Sequence, residues 1–403
     1  MAGESASEAL ALPLEVVDLI TEHLEDDSLS LRSCALLSLT WLVSARRRLF
    51  STTCFHVDTG DDENEEQPYC EKLSEFLAFL QSTDYVCGFI KELQLFCYNP
   101  MVGEATNHQV DLTLLFRVAH KLTSLKTLVL DSVFWSGLPP KSIRAKLICP
   151  SIETLVVKDI SSDTDDLEQI TAIFHLLPNL SCFEAKEWQM EILDVDMDDS
   201  EELVLPSRMK LGSLTVFSAP GALLSAVSST ATASTRSLRT LRIYIPYGSY
   251  KDVERTGLLL KSVGPNLRYL DIGLSLSPVQ DQFIRTVWSD LNLSSCVALR
   301  TLVLSVTHPH DTGALSPWLS AESMLSTVPG ARLRTLEFEL SSFERSSVAE
   351  ANWIAIETIL KRFKQLRVIR FQATKHPGPS AWRYITKRLS SFHAKGMLHM
   401  VHS

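Results

Sequence analysis

The side chains of this 403-residue chain that could hold a metal ion gather at two places. Asp194, Asp196 and Asp198 alternate as at the start of a calcium loop. Such a loop needs glycine at its sixth position for a sharp turn and a bidentate glutamate at its twelfth. Asp199 and Leu205 stand there instead, with Glu201 and Glu202 alongside. These carboxylates read as a solvated loop between elements. His308-Pro309-His310-Asp311 offers two imidazoles, but proline separates them and no cysteine or further histidine stands near to complete a set. Nothing resembles a nucleophile elbow, a zincin helix or a phosphate loop. The reading is therefore a non-enzyme with no cofactor and no metal. The chemistry left is recognition. Arg242, Tyr244, Tyr269 and Asp271 join aromatic area to polar handles, the combination that dominates protein interfaces. The loop Tyr247 to Tyr250 could add a lip.

What must position these residues is a repeated phrase, apolar-x-x-apolar-x-apolar. It is read at Ile90/Leu93/Leu95, Leu125/Leu128/Leu130, Ile152/Leu155/Val157, Leu180/Phe183/Ala185 and Leu214/Phe217/Ala219. It returns at Leu238/Leu241/Ile243, Leu267/Leu270/Ile272, Leu299/Leu302/Leu304, Leu333/Leu336/Phe338 and Leu366/Ile369/Phe371. The last two apolar positions are two residues apart, so they share one face of a strand. Helix-patterned stretches lie between phrases: Asp165 to Leu177, Pro278 to Leu291 and Val348 to Phe363. One strand and one helix cannot bury their apolar faces alone, whereas a stack of such pairs shares a continuous core. The fold class predicted is α/β: a solenoid of parallel strands on the concave side and helices on the convex side. A doubly wound sheet is the other architecture built of alternating strands and helices.

In the solenoid reading the third, fifth and seventh residues of each phrase face away from the core. They include Thr240, Arg242, Tyr244, Tyr269, Asp271, Glu337, Glu339 and Arg370. The second position is basic in seven of the ten copies: Lys91, Lys126, Arg239, Arg268, Arg300, Arg334 and Arg367. Stacking would align them along one rim. Such a rim is either a solvated edge that discourages strand aggregation or a site for an acidic partner.

The repeats resemble the leucine-rich repeat family over roughly residues 88 to 375. They depart from it in a mean spacing near 31 residues, against the family's ~20–29. The asparagine or cysteine that follows the phrase in regular repeats is replaced by Val133, Thr307 and Thr374. The resemblance therefore implies an irregular solenoid without the side-chain ladder that closes the turns.

Residues 12–57 have another texture. Pro13 opens a helix carrying Val16, Val17, Ile20 and Leu24. A second follows the Ser28/Ser30 cap candidates, and a third carries Trp41, Leu42, Ala45, Leu49 and Phe50. Three short helices bury very little and need a partner or a neighbour. Leu12-Pro13-x-Glu15-Val16-Val17-x-x-Ile20-x-x-x-Leu24, with Leu31, Cys34 to Leu37 and Trp41, resembles an F-box. Leu12, Pro13, Ile20, Leu24 and Trp41 match family positions, while Leu37 to Thr40 depart from the family's usual Val-Cys and basic residue. The resemblance implies docking onto a Skp-type adaptor and through it a cullin–RING ubiquitin ligase. Head and body together resemble the F-box proteins with irregular leucine-rich bodies of fungal genomes. The chain then reads as the subunit that holds an unknown target protein. The alternative is a scaffold or receptor whose head only caps the solenoid.

Composition sets the remaining bounds. A net charge of −10 argues against nucleic acid as the main partner. Residues 1–11 show no leader pattern and are expected to be disordered, and no apolar run is long enough to span a membrane. The eight cysteines form no C-x-x-C pair and read as reduced, mostly buried thiols, so the expected compartment is cytoplasm or nucleus. The acidic run Asp61 to Glu66 falls in a linker over 58–70, and the solenoid with its C-terminal cap fills 71–403.

Overall fold

A computed structural model describes residues 12–58, 69–98, 109–137, 139–158, 161–162, 166–186, 189–190, 205–206, 208–217, 221–229, 234–248, 250–276, 288, 290–306, 317–340, 348–373 and 379–402. The N-terminal 1–11, the acidic runs 61–66 and 194–202, and His308 to Asp311 lie outside these residues. So does nearly all of the helix expected from Pro278. The chain divides into two compact units, Met1–Ile152 and Glu153–Ser403.

The first unit opens with helices α1 (Leu14–His23), α2 (Ser28–Cys34) and α3 (Leu39–Leu49). Their caps follow from sequence. Asp27, rather than Ser28 or Ser30, caps α2 by accepting from the Ser30 N–H at 3.0 Å. The Ser38 hydroxyl stands at the start of α3, 3.5 Å from the Trp41 N–H. The centre of the head is small and partly polar. Thr21 and Ser44 are buried with their hydroxyls 2.8 Å apart, and the Ser44 hydroxyl also donates to Asp18. Three parallel strands come next: β1 (Thr52–Asp58), β2 (Glu92–Tyr98) and β3 (Thr127–Asp131). Helices α4 (Tyr69–Ser82) and α5 (Leu112–Lys121) lie between them in sequence. The first strand thus falls within the segment expected to close the head, and α4 begins within the expected linker.

The second unit carries a row of nine described parallel strands, each hydrogen-bonded to the next in the row. They are β4 (Thr154–Lys158), β5 (Cys182–Lys186), β6 (Ser213–Phe217), β7 (Thr240–Gly248) and β8 (Tyr269–Leu276). β9 (Thr301–Val306), β10 (Thr335–Leu340), β11 (Val368–Ala373) and β12 (Leu398–His402) complete the row. Described helices of the second unit are α6 (Asp166–Leu176), α7 (Gly221–Ser229), α8 (Tyr250–Val263), α9 (Pro317–Thr327), α10 (Trp353–Arg362) and α11 (Pro379–Arg388). A helical turn at Ser234–Ser237 follows α7.

Two features separate this row from a doubly wound sheet. Its order never reverses, so there is no switch point. Among the described residues the two faces differ in burial: in β10, Leu336, Phe338 and Leu340 are buried while Thr335, Glu337 and Glu339 stay half-buried. Successive helices meet the same covered face. Trp318 of α9 lies 5.5 Å from Phe338, Trp353 of α10 lies 6.4 Å from Phe371, and Trp382 of α11 lies 6.0 Å from Phe371. This is a solenoid-like arrangement of stacked strand–helix pairs. Gly396 takes φ +68 after the last helical turn, a conformation that favours glycine, and releases the chain into β12.

The phrase begins with one recurring hydrogen-bond pattern. At Lys91, and from Glu153 through Arg334, the carbonyl of the second position accepts from two N–H groups of the next copy, at positions two and three. Arg268 accepts from Arg300 (2.8 Å) and Thr301 (3.0 Å); Arg300 accepts from Arg334 (2.8 Å) and Thr335 (3.0 Å). The pattern corrects the fifth copy. Ser181 accepts from Gly212 and Ser213, and Leu214 pairs with Leu241, so the phrase there is Leu211/Leu214/Val216 and not Leu214/Phe217/Ala219. Phe217 is thereby moved to the uncovered face.

Register has a direct test. Leu336→Ala removes a fully buried side chain and should cost about 3 kcal/mol. Thr335→Ala, one residue earlier on the other face, should cost less than about 1 kcal/mol. Equal losses in chemical denaturation would reject this register.

Candidate functional site

The uncovered face of β6 to β11 gathers the aromatic and charged side chains. Strand pairing places Thr215, Arg242, Asp271, Val303, Glu337 and Arg370 in one row across the strands. The next row runs Phe217, Tyr244, Gly273, Ser305, Glu339 and Gln372. The four residues expected as a binding patch, Arg242, Tyr244, Tyr269 and Asp271, therefore do share one face. They form two adjoining parts.

The first part is aromatic. The Arg242 guanidinium lies 5.3 Å above the Tyr269 ring centroid, a cation–π placement. Burial pushes the Tyr269 hydroxyl pKa up, and the Asp271 charge adds to this. Tyr244 packs beside Phe217 at 6.1 Å and leans over the neighbouring strand. It can do so only because residue 273 is glycine: a Cβ there would overlap the Tyr244 ring and meet the Ser305 Cβ at 2.9 Å. Sequence reasoning missed Phe217 and Gly273. A glycine in the seventh position, one repeat after a tyrosine in the seventh position, was the available signal for the second. Side chains of the loop 247–250 lie outside the described residues.

The second part is acidic. Asp271, Glu337 and Glu339 surround Val303, which is only 5% exposed although it lies on the uncovered face. Val303 stands at a fifth position, which the repeat pattern turns away from the core, yet it is covered. Glu337 pairs with Arg370 at 3.7 Å, and Glu339 accepts from the Ser305 hydroxyl at 2.8 Å. Among the described residues Asp271 has no ion pair or hydrogen bond of this kind. Burial first, then the Glu339 and Glu337 carboxylates, push its pKa up to about 6, with Arg242 only partly offsetting them. This surface suits a basic side chain, whose charge would settle the acids while its stem lies against Tyr244 and Phe217. Burial raises the Cys149 and Cys296 thiols to about 12, which leaves them inert. Among the described residues no group of His, Cys, Asp and Glu side chains is placed to hold a metal ion, and no helix is long and apolar enough to cross a membrane.

The head, in the other unit, is a second candidate surface. Of the matched positions, Leu12 and Pro13 are exposed, while Ile20, Leu24 and Trp41 are half-buried between the helices. The most exposed apolar residues are others: Leu36 (87%), Leu39 (80%), Leu29 (71%) and Leu37 (65%). Their apolar character was legible in the sequence; that they form the outer surface of the motif was not.

Asp271 gives a pH test. Folded, it keeps its proton to about 6, whereas the unperturbed group releases it at 3.8. The folded state therefore binds more protons between these values. Stability from this group is complete below about pH 4 and is lost as pH rises through about 6. Asp271→Asn should raise stability near pH 7.5, by on the order of 1–2 kcal/mol, and change it little near pH 4. A variant whose melting curve matches the parent at both pH values would show that the acids do not strain one another. Comparison with known proteins adds no relative to this geometry: no family model matches the chain, and no curated protein matches its sequence.

Proposed function

We propose that the chain is the substrate-recognition subunit of a Skp–cullin–F-box type ubiquitin ligase. Its head docks the Skp-type adaptor, and the uncovered face of its repeats holds a target protein while other subunits carry out ubiquitin transfer. The observation that carries this reading is the apolar surface of the head, where Leu29, Leu36, Leu37 and Leu39 all stand more than half exposed. Four strongly exposed leucines within eleven residues of chain are the kind of apolar surface that a protein partner covers. The F-box resemblance supplies the partner. The reading places the protein in cytoplasm or nucleus, with no enzymatic chemistry of its own.

The rival reading, a scaffold whose head only caps the repeats, requires the head's apolar face to be covered by them. Helices α1, α2 and α3 instead pack chiefly on one another. That favours docking. The target side is the aromatic and acidic face around Arg242, Tyr244, Tyr269 and Asp271, and its chemistry selects a basic segment.

Leu36→Asp with Leu39→Asp should abolish co-purification with a Skp-type adaptor while the melting temperature stays the same, since both residues are exposed. Adaptor capture by this double variant at parental strength would reject the docking assignment. Tyr244→Ala with Tyr269→Ala should leave adaptor capture intact and weaken target capture with the proteasome blocked, each true hot spot being worth about 2 kcal/mol. An unchanged set of captured targets would move the target site elsewhere.

A further inference from the structure

The second positions of five successive repeats are arginines: Arg239, Arg268, Arg300, Arg334 and Arg367. The recurring backbone pattern places them in line. Arg268 N–H donates to Arg239 O at 2.9 Å, and Arg300, Arg334 and Arg367 each donate to the arginine before at 2.8 Å. Each also stands in the same local geometry, because the residue after it donates to the same carbonyl. Arg239 is half-buried, and its Nη1 donates to the carbonyls of Arg236 (2.8 Å), Leu238 (3.3 Å) and Asn266 (3.3 Å). The other four differ. Arg268, Arg300, Arg334 and Arg367 are exposed, and among the described residues none has an ion pair or a side-chain hydrogen bond.

Four like charges at successive strand spacings repel one another, and on a chain of net charge −10 they are not a reflection of composition. Protection against strand aggregation does not explain them. That task falls to an edge strand, and Arg268, Arg300 and Arg334 precede the interior strands β8, β9 and β10. Nor is the residue type neutral. All four are arginine, whose planar fork matches carboxylate and phosphate oxygens bidentately.

We propose that Arg268, Arg300, Arg334 and Arg367 form a docking row for an extended acidic peptide segment of a partner protein. The row spans three strand spacings of about 4.8 Å each, close to the length of about four residues of extended chain at about 3.3 Å per residue. Anionic side chains along such a segment can each meet a fork. The net negative charge of the protein opposes long-range approach of nucleic acid or an anionic membrane, while a short acidic peptide meets only the local row. Carboxylates and phosphates share this chemistry. The row does not depend on what the head binds, and its test does not involve the adaptor.

The full chain is titrated, by fluorescence anisotropy at about 50 mM salt, with a labelled peptide carrying six consecutive glutamates. A phosphoserine counterpart, a glutamine counterpart, a single-stranded oligonucleotide and anionic vesicles are titrated alongside. The glutamate or the phosphoserine peptide should bind, the tighter of the two naming the source of the anion, and the glutamine peptide should not. Arg300→Gln with Arg334→Gln should weaken binding about tenfold or more at an unchanged melting temperature. Arg300→Lys with Arg334→Lys should fall between, keeping charge without the fork. Equal binding by the parent and the glutamine double variant, binding of the glutamine peptide as tight as the glutamate one, or preference for oligonucleotide or vesicles would each overturn the proposal.

Discussion

One carbonyl oxygen with two N–H donors, repeated at the start of strand after strand, is the constraint on which this molecule depends. Within the second unit it links Glu153 to Ser181 and Cys182, and so on through Arg334 to Arg367 and Val368, with every bond between 2.7 and 3.1 Å. Within the first unit Ser51 and Lys91 play the same part. A carbonyl has two lone-pair directions and can satisfy both donors at once. Doing so fixes where the next strand begins, and a strand's two-residue period does the rest. The leucines of every copy fall on one face because the starting point cannot slip.

That constraint explains which elements are legible in the sequence. Nine of the ten phrases fall where the spacing puts them, because three apolar positions at fixed intervals are the trace that this register leaves. The fifth fails for a local reason. Leu214, Phe217 and Ala219 imitate the spacing, whereas Leu211, Leu214 and Val216 satisfy the backbone. Strand β1 is not legible as a strand because Thr53 occupies a position that is leucine in its neighbour, Leu93. The α/β class, with a helical N-terminal region and a row of parallel strands, is legible because it rests on local pattern.

The candidate face is legible only in outline. Position in the phrase is enough to bring Arg242, Tyr244, Tyr269 and Asp271 to one surface. Pattern cannot tell that Val303 is covered, nor that Asp271 feels carboxylates two strands away, because both depend on side chains from distant parts of the sequence. Gly273 shows the same limit from the other side. Its importance lies in what it leaves out, and the tyrosine that fills the space belongs to the preceding repeat.

A register fixed at the beginning of each strand also leaves something free. From Leu211 to Leu238 the chain advances 27 residues, and from Ile90 to Leu125 it advances 35, yet the strands on either side pair in the same way. The measuring is done at one end of the strand and not by the length of the segment that leads to the next. A lineage of such chains can gain or lose residues after any strand without moving its neighbour, so its members can drift apart in length and sequence while their backbones remain superimposable.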